Sequence, residues 1–166
     1  MMLTAAIIVA AVVMALPVLK ITGNSMGDTL QNGDIVAVFR TQSIDRGDLI
    51  AFSYNSKILT KRVIALAGDV VEIYEDGGVS VNGQVLDEPY ITQMAVGECD
   101  LVMPYTVPED RIFVMGDDRV VSVDSRSEAV GCVAEEQIIG RIAVRIWPMD
   151  RFSTFISLGE LLGEDK

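Results

Sequence analysis

Residues 70–83 read VVEIYEDGGVSVNG, two short runs rich in β-branched residues, parted by Gly77-Gly78 and closed by Asn82-Gly83. Val, Ile and Tyr suit a pleated, half-buried strand, and Asn-Gly accepts the positive φ angles of a tight hairpin turn. The stretch therefore predicts a twisted β ribbon. Similar runs recur at 35–39, 49–52, 58–66, 112–115 and 138–147, among turns rich in Gly, Asn and Asp. Together they predict an all-β fold. Residues 86–110 carry Pro89, Pro104 and Pro108 and are expected to form loops or a small cap, so that 72–110 makes a ribbon-and-cap region. Residues 152–162 suit a short helix or a second membrane-touching segment, too short to span a bilayer.

With 166 residues there is room for one domain with a real core. The apolar surplus gathers at residues 1–19, MMLTAAIIVAAVVMALPVL, which hold no charge. About 20 helical residues span the hydrocarbon layer, so this segment reads as a retained transmembrane anchor and 20–166 as the domain behind it. A cleaved secretory signal is the competing reading, but it would normally begin with basic residues and end in a small-x-small exit. Lys20 follows the span, whereas the positive-inside rule places basic residues before it if the domain faces outward. The net charge of −11 argues against nucleic acid as a partner. Cys99 and Cys132 stand 33 positions apart in a chain without histidine, which speaks against a zinc site; a disulfide and two free thiols both fit.

The lack of histidine also removes the usual general base, and with it Ser/His/Asp and Cys/His mechanisms. A hydrolase built from this chain would need a carboxylate pair or a nucleophile activated by lysine. Ser25 lies in Gly23-Asn24-Ser25-Met26-Gly27, where flanking glycines let a peptide carbonyl approach its N–H, although most such serines are plain turn residues. In the run Lys57 to Leu66, period-2 alternation puts Leu59, Lys61 and Val63 on one face, making Lys61 a lysine among apolar neighbours. Burial would lower its pKa and let a neutral amine accept the serine proton; the plainer alternative is a lysine snorkelling from an edge strand.

Taken in order, four blocks resemble bacterial type I signal peptidases. Gly23-Asn24-Ser25-Met26-Gly27-Asp28-Thr29-Leu30 looks like the nucleophile block, and Arg46-Gly47-Asp48-Leu49-Ile50 resembles the next. Lys61-Arg62-Val63-Ile64-Ala65-Leu66-Ala67-Gly68-Asp69 is similar to the lysine block. Met115-Gly116-Asp117-Asp118-Arg119, continuing to Ser122-Val123-Asp124-Ser125-Arg126, resembles the last.

The resemblance implies a mostly antiparallel β catalytic domain on the extracytoplasmic side of the cell membrane. It also implies removal of signal peptides from secreted preproteins without metal or organic cofactor. In that reading Ser25 attacks the scissile carbonyl, Lys61 serves as base and then acid, and the Ser25 N–H helps hold the oxyanion. Ser122 orients the Lys61 amine, Asp124 and Arg126 form a supporting ion pair, and Gly116 permits close packing. Ile21, Met26, Leu30, Leu59 and Thr60 match the family's substrate-binding positions, where shallow pockets accept small residues first and third before the cut. Asp28 stands where the family usually has proline, Asp118 replaces a common asparagine, and Val120-Val121 replaces a polar pair. Gly23 stands where some relatives carry a hydroxyl donor. Self-cleaving repressors share Ser/Lys chemistry, but an acidic, anchored chain fits them poorly. An anchored domain that binds peptides without cutting them is the alternative from another class.

Overall fold

The computed structural model describes residues 16–41 and 43–156. The strands in chain order are β1 (Val18–Lys20), β2 (Ile35–Phe39), β3 (Leu49–Tyr54), β4 (Lys57–Ala65), β5 (Val70–Ile73), β6 (Val79–Val81), β7 (Gln84–Val85), β8 (Tyr105–Thr106), β9 (Arg111–Met115), β10 (Val133–Ala134), β11 (Ile138–Trp147) and β12 (Ser153–Thr154). All their pairings are antiparallel. The main sheet runs β1-β2-β11-β3-β4-β9-β10, with β12 on β11, and a second sheet runs β7-β6-β5-β8.

Local turn chemistry fixes two hairpins. Tyr54 pairs with Lys57 across Asn55 and Ser56, whose φ angles are 45° and 61°. Val81 pairs with Gln84 across Asn82 and Gly83, at 54° and 77°, as the Asn-Gly dipeptide predicts. The Asn82 side chain then ties the ribbon to the main sheet: it accepts from the Val70 N–H and donates to Asp69, which also holds Arg46.

The core is divided by the sheets. Ile64, Ala65, Val71, Val79, Val81, Phe113 and Met115 join the ribbon to the main sheet. Ile50, Phe52, Val63, Ile112, Val114 and Val133 form a second cluster, and Met26, Leu30, Val36, Val38, Leu49 and Ile142 lie in a third. Each fully buried Val, Ile, Leu or Phe contributes about 1.5–3 kcal/mol relative to exposure, so these clusters set the strand order.

Some expectations change and others hold. Val18 and Leu19, assigned to the end of the anchor, pair with Ala37 and Val36 in β1, while residues 1–15 lie outside the described residues. Among the described residues no helix is long and apolar enough to cross a membrane. The start of the 152–162 segment is not helical. Arg145 donates to the Arg151 carbonyl at 2.6 Å and Arg151 pairs with Asp34, so the chain turns back and Ser153–Thr154 adds to β11; residues 157–162 lie outside the described residues. Both cysteines are free thiols. Residues 86–110 are irregular apart from β8.

Candidate active site

Between β1 and β2 the chain folds into a tight turn held from both ends. Ile21 donates to the Asp34 carbonyl at 2.8 Å, Gly33 donates back to Ile21 at 2.9 Å, and Gly27 and Thr29 donate to Asn24 and Met26. Gly23 and Gly27 take φ angles of 92° and 53°, which side chains rarely adopt. Met26 and Leu30 bridge each other and sink into the core, which leaves Ser25 half-buried at the crest of the turn.

Lys61 occupies the middle of β4 opposite Ile50, with Leu59 and Val63 packed in the adjoining cluster. Strict alternation stops at an irregularity between Val63 and Ala65, where three successive residues are buried. The Lys61 Nζ lies 2.6 Å from Ser25 Oγ and the residue is only 2% exposed. Burial lowers its pKa from 10.5 to about 8; Asp124 opposes the shift, Arg126 adds to it, and Asp117 opposes it.

The 116–126 loop closes the other side. Asp124 is fully buried and accepts from Arg126 at 2.8 Å through both Nε and Nη2, from Ser122 Oγ at 2.7 Å and from the Gly116 N–H at 2.8 Å. Burial alone would push its carboxyl up, but the Arg126 charge and these donors outweigh it and hold the pKa low. Ser122 thus donates to Asp124, and its lone pairs are left to accept. A Cβ on Gly116 would overlap the Ser122 hydroxyl and the Ser25 carbonyl, so only glycine lets the loop and the Ser25 turn meet. The Asp118 N–H donates to that carbonyl at 3.1 Å.

A second tier was not assigned from sequence. Asp117 takes both Arg62 Nε and Nη2, at 2.9 and 2.6 Å, and the Thr29 hydroxyl at 2.6 Å, tying the lysine strand to the serine turn. Arg62 stacks over the Tyr90 ring at 3.8 Å; Tyr90 donates to Glu88 at 2.6 Å, and Glu88 pairs with fully buried Arg119. Asp117, Arg62 and Arg119 stand inside the quoted blocks, whereas Glu88 and Tyr90 come from a segment whose sequence carries no legible role.

Beside Ser25 lies a small cavity of about 60 Å³, walled by Ile21, Thr22, Met26, Ile58, Leu59 and Thr60 among others. Four of the five expected substrate-binding residues line it. Leu30 does not: it is fully buried behind Met26 and supports the wall.

A paired hydroxyl and buried amine next to a small apolar cavity can perform acyl transfer by proton abstraction. The chain is similar to known proteins that fit this chemistry. A family model described as "Signal peptidase, peptidase S26" matches residues 1–147. Signal peptidase IB of Staphylococcus aureus is 34% identical over 152 residues, 80% of this chain and 78% of that protein. A probable signal peptidase I-2 of a Synechocystis species is 35% identical over 143 residues, 79% of this chain and 63% of that protein. The crystal structure of a signal peptidase I from Enterococcus faecalis matches with a TM-score of 0.51 and 30% identity, over 63% of this chain and all of the other.

Proposed function

The chain belongs to the signal peptidase family, peptidase S26, and on that premise we propose that it is a membrane-bound serine endopeptidase that removes signal peptides from secreted preproteins through Ser25 and Lys61. The observation that carries this reading is the 2.6 Å contact between the Ser25 hydroxyl and an amine whose proton burial makes easier to lose. Neutral Lys61 takes the hydroxyl proton as Ser25 Oγ attacks the scissile carbonyl. The resulting oxyanion rests on the Ser25 N–H. Protonated Lys61 then gives its proton to the departing amine, leaving an acyl-enzyme, and in the second half it activates a water that releases the signal peptide.

The supporting residues act through Lys61 and the serine turn. Ser122, held by its donation to Asp124, is the residue we assign to orient the Lys61 amine, and Arg126 neutralises Asp124, so that the carboxylate fixes Ser122 without raising the Lys61 pKa back to its ordinary value. The small cavity beside Ser25 suits alanine-sized residues at the first and third positions before the cut, since a larger side chain would overpack a wall braced by Leu30 at about 1–3 kcal/mol. The apolar stretch before β1 serves as the anchor, with the catalytic domain on the extracytoplasmic face of the cell membrane.

The test is cleavage of a preprotein with an Ala-x-Ala exit, in detergent or lipid, by the unaltered chain and by Ser25→Ala and Lys61→Ala, across pH. The expected result is a single cut after the second alanine, with kcat/KM rising through a base limb near pH 8 and both variants folded but inactive. Peptide binding without cleavage by all three chains would replace the enzyme with a binding domain.

A further inference from the structure

Val120, Val121 and Val123 are 51%, 58% and 47% exposed, three apolar side chains within four residues on the loop that also carries Ser122. Exposed valines scattered singly are ordinary; three within four residues, on a loop that touches the Ser25 turn, are not. The backbone from Val120 to Ser122 is fixed. The Val120 and Val121 N–H groups both donate to Asp118 Oδ1, at 3.2 and 3.4 Å, and the Ser122 N–H donates to the Asp118 carbonyl at 3.1 Å. Ser122 itself is buried against Gly116. The turn therefore presents Val120 and Val121 outward on a held backbone, with Val123 exposed just beyond Ser122.

The position of that surface relative to Ser25 identifies what it meets. The small cavity draws its walls from the β1 side of the turn and from residues 58–60, with none from 116–126. The loop instead reaches Ser25 from another flank, through the Asp118 N–H on the Ser25 carbonyl and through Asp118 against Gly27. A peptide whose residues before the cut fill the cavity must carry its following residues away over a different flank. We propose that Val120, Val121 and Val123 form an apolar platform for the first residues of the mature chain, giving the enzyme a preference for apolar side chains just after the cut. The proposal rests on the peptidase reading above and adds a specificity on the leaving side of the bond.

The experiment uses the unaltered chain in detergent micelles and two preprotein peptides identical up to the cut, one continuing with Leu-Val and the other with Asn-Gln. Partial burial of two apolar side chains predicts a kcat/KM ratio of at least about fivefold in favour of Leu-Val. In the double variant Val120→Asn, Val121→Asn the ratio should fall to about one. Equal rates with the unaltered chain, or a ratio that survives the double substitution, overturns the proposal. If the ratio survives while phosphatidylcholine–phosphatidylglycerol vesicles retain less of the double variant, the valines face the bilayer instead. Affinities of the same peptides for Ser25→Ala, with and without the valine substitutions, give the ratio independently of turnover. Absence of any cleavage would then count against the peptidase reading alone, whereas equal affinities would count against the platform.

Discussion

Lys61→Met should make the protein inactive and, at neutral pH, more stable. The unfolded chain carries Lys61 charged up to pH 10.5, but the folded chain only up to about 8. Between those values the unfolded state binds more protons, so the native protein gains stability as pH rises through the window, and below pH 8 it carries the whole penalty. At about 1.36 kcal/mol per pKa unit, the buried charge costs roughly 3.3 kcal/mol at pH 7 and about 0.8 kcal/mol at pH 10. Methionine keeps the length of the side chain and removes the charge. It also forfeits the bond to Ser25, worth about 1 kcal/mol, so the net gain at pH 7 is about 2 kcal/mol. The sharper quantity is the difference between the two pH values, because groups shared by both proteins cancel. The advantage of Lys61→Met should shrink by about 2.5 kcal/mol between pH 7 and pH 10, or roughly 5–10 °C in Tm for a chain of this size. Urea unfolding of both proteins at the two pH values measures it. A variant that is less stable at pH 7, or a difference that does not move with pH, would refute the claim that burial holds the amine near neutrality.

Asp124→Asn removes a charge that raises the Lys61 pKa while leaving Arg126, which lowers it, so the base limb of kcat/KM should move below about pH 8; a pH–rate profile reads the shift. Gly116→Ala should cost about 1–3 kcal/mol in denaturant unfolding and at least about a hundredfold in activity, because its Cβ would force Ser122 and Ser25 apart. Glu88→Ala leaves the fully buried Arg119 unpaired and should destabilise by about 3–5 kcal/mol, with much of the loss recovered when Arg119→Leu is added. In the native protein a thiol reagent should modify Cys99 first, since Cys132 is buried and burial pushes its pKa up.

The strands that the sequence makes legible are those that carry their own reasons. β2, β6 and β11 fall where the runs of Val and Ile end in turn residues, and the Asn82-Gly83 hairpin follows from the φ angles that this dipeptide tolerates. β1 is harder to read because Val18 and Leu19 continue an apolar run that only Thr4 and Pro17 interrupt; their pairing with Ala37 and Val36 distinguishes strand from span. β10 and β12, two residues each, have no periodicity to detect and exist through their partners. At the site, an apolar strand face around Lys61 is visible from alternation, and the meeting of Lys61 with Ser25 is not, since 36 positions separate them. Glu88 and Tyr90 were illegible for a related reason. Their roles depend on Arg119 and Arg62, charges delivered from elsewhere in the chain, and a carboxylate beside a proline in a loop looks the same with or without such partners.

The short path from Leu16 to Ser25 acts as a ruler. Nine positions separate them, and even a fully extended chain advances only about 3.3–3.6 Å per residue, so Ser25 lies within roughly 30 Å of Leu16, just ahead of β1. Pairing of β1 with β2 makes the ruler stiff, because its middle is locked into the main sheet. Height and chemistry are therefore separate settings of the molecule. If the chain is anchored ahead of β1 as proposed, adding or removing residues there would raise or lower Ser25 over the bilayer as a block, while every distance within the site stayed the same.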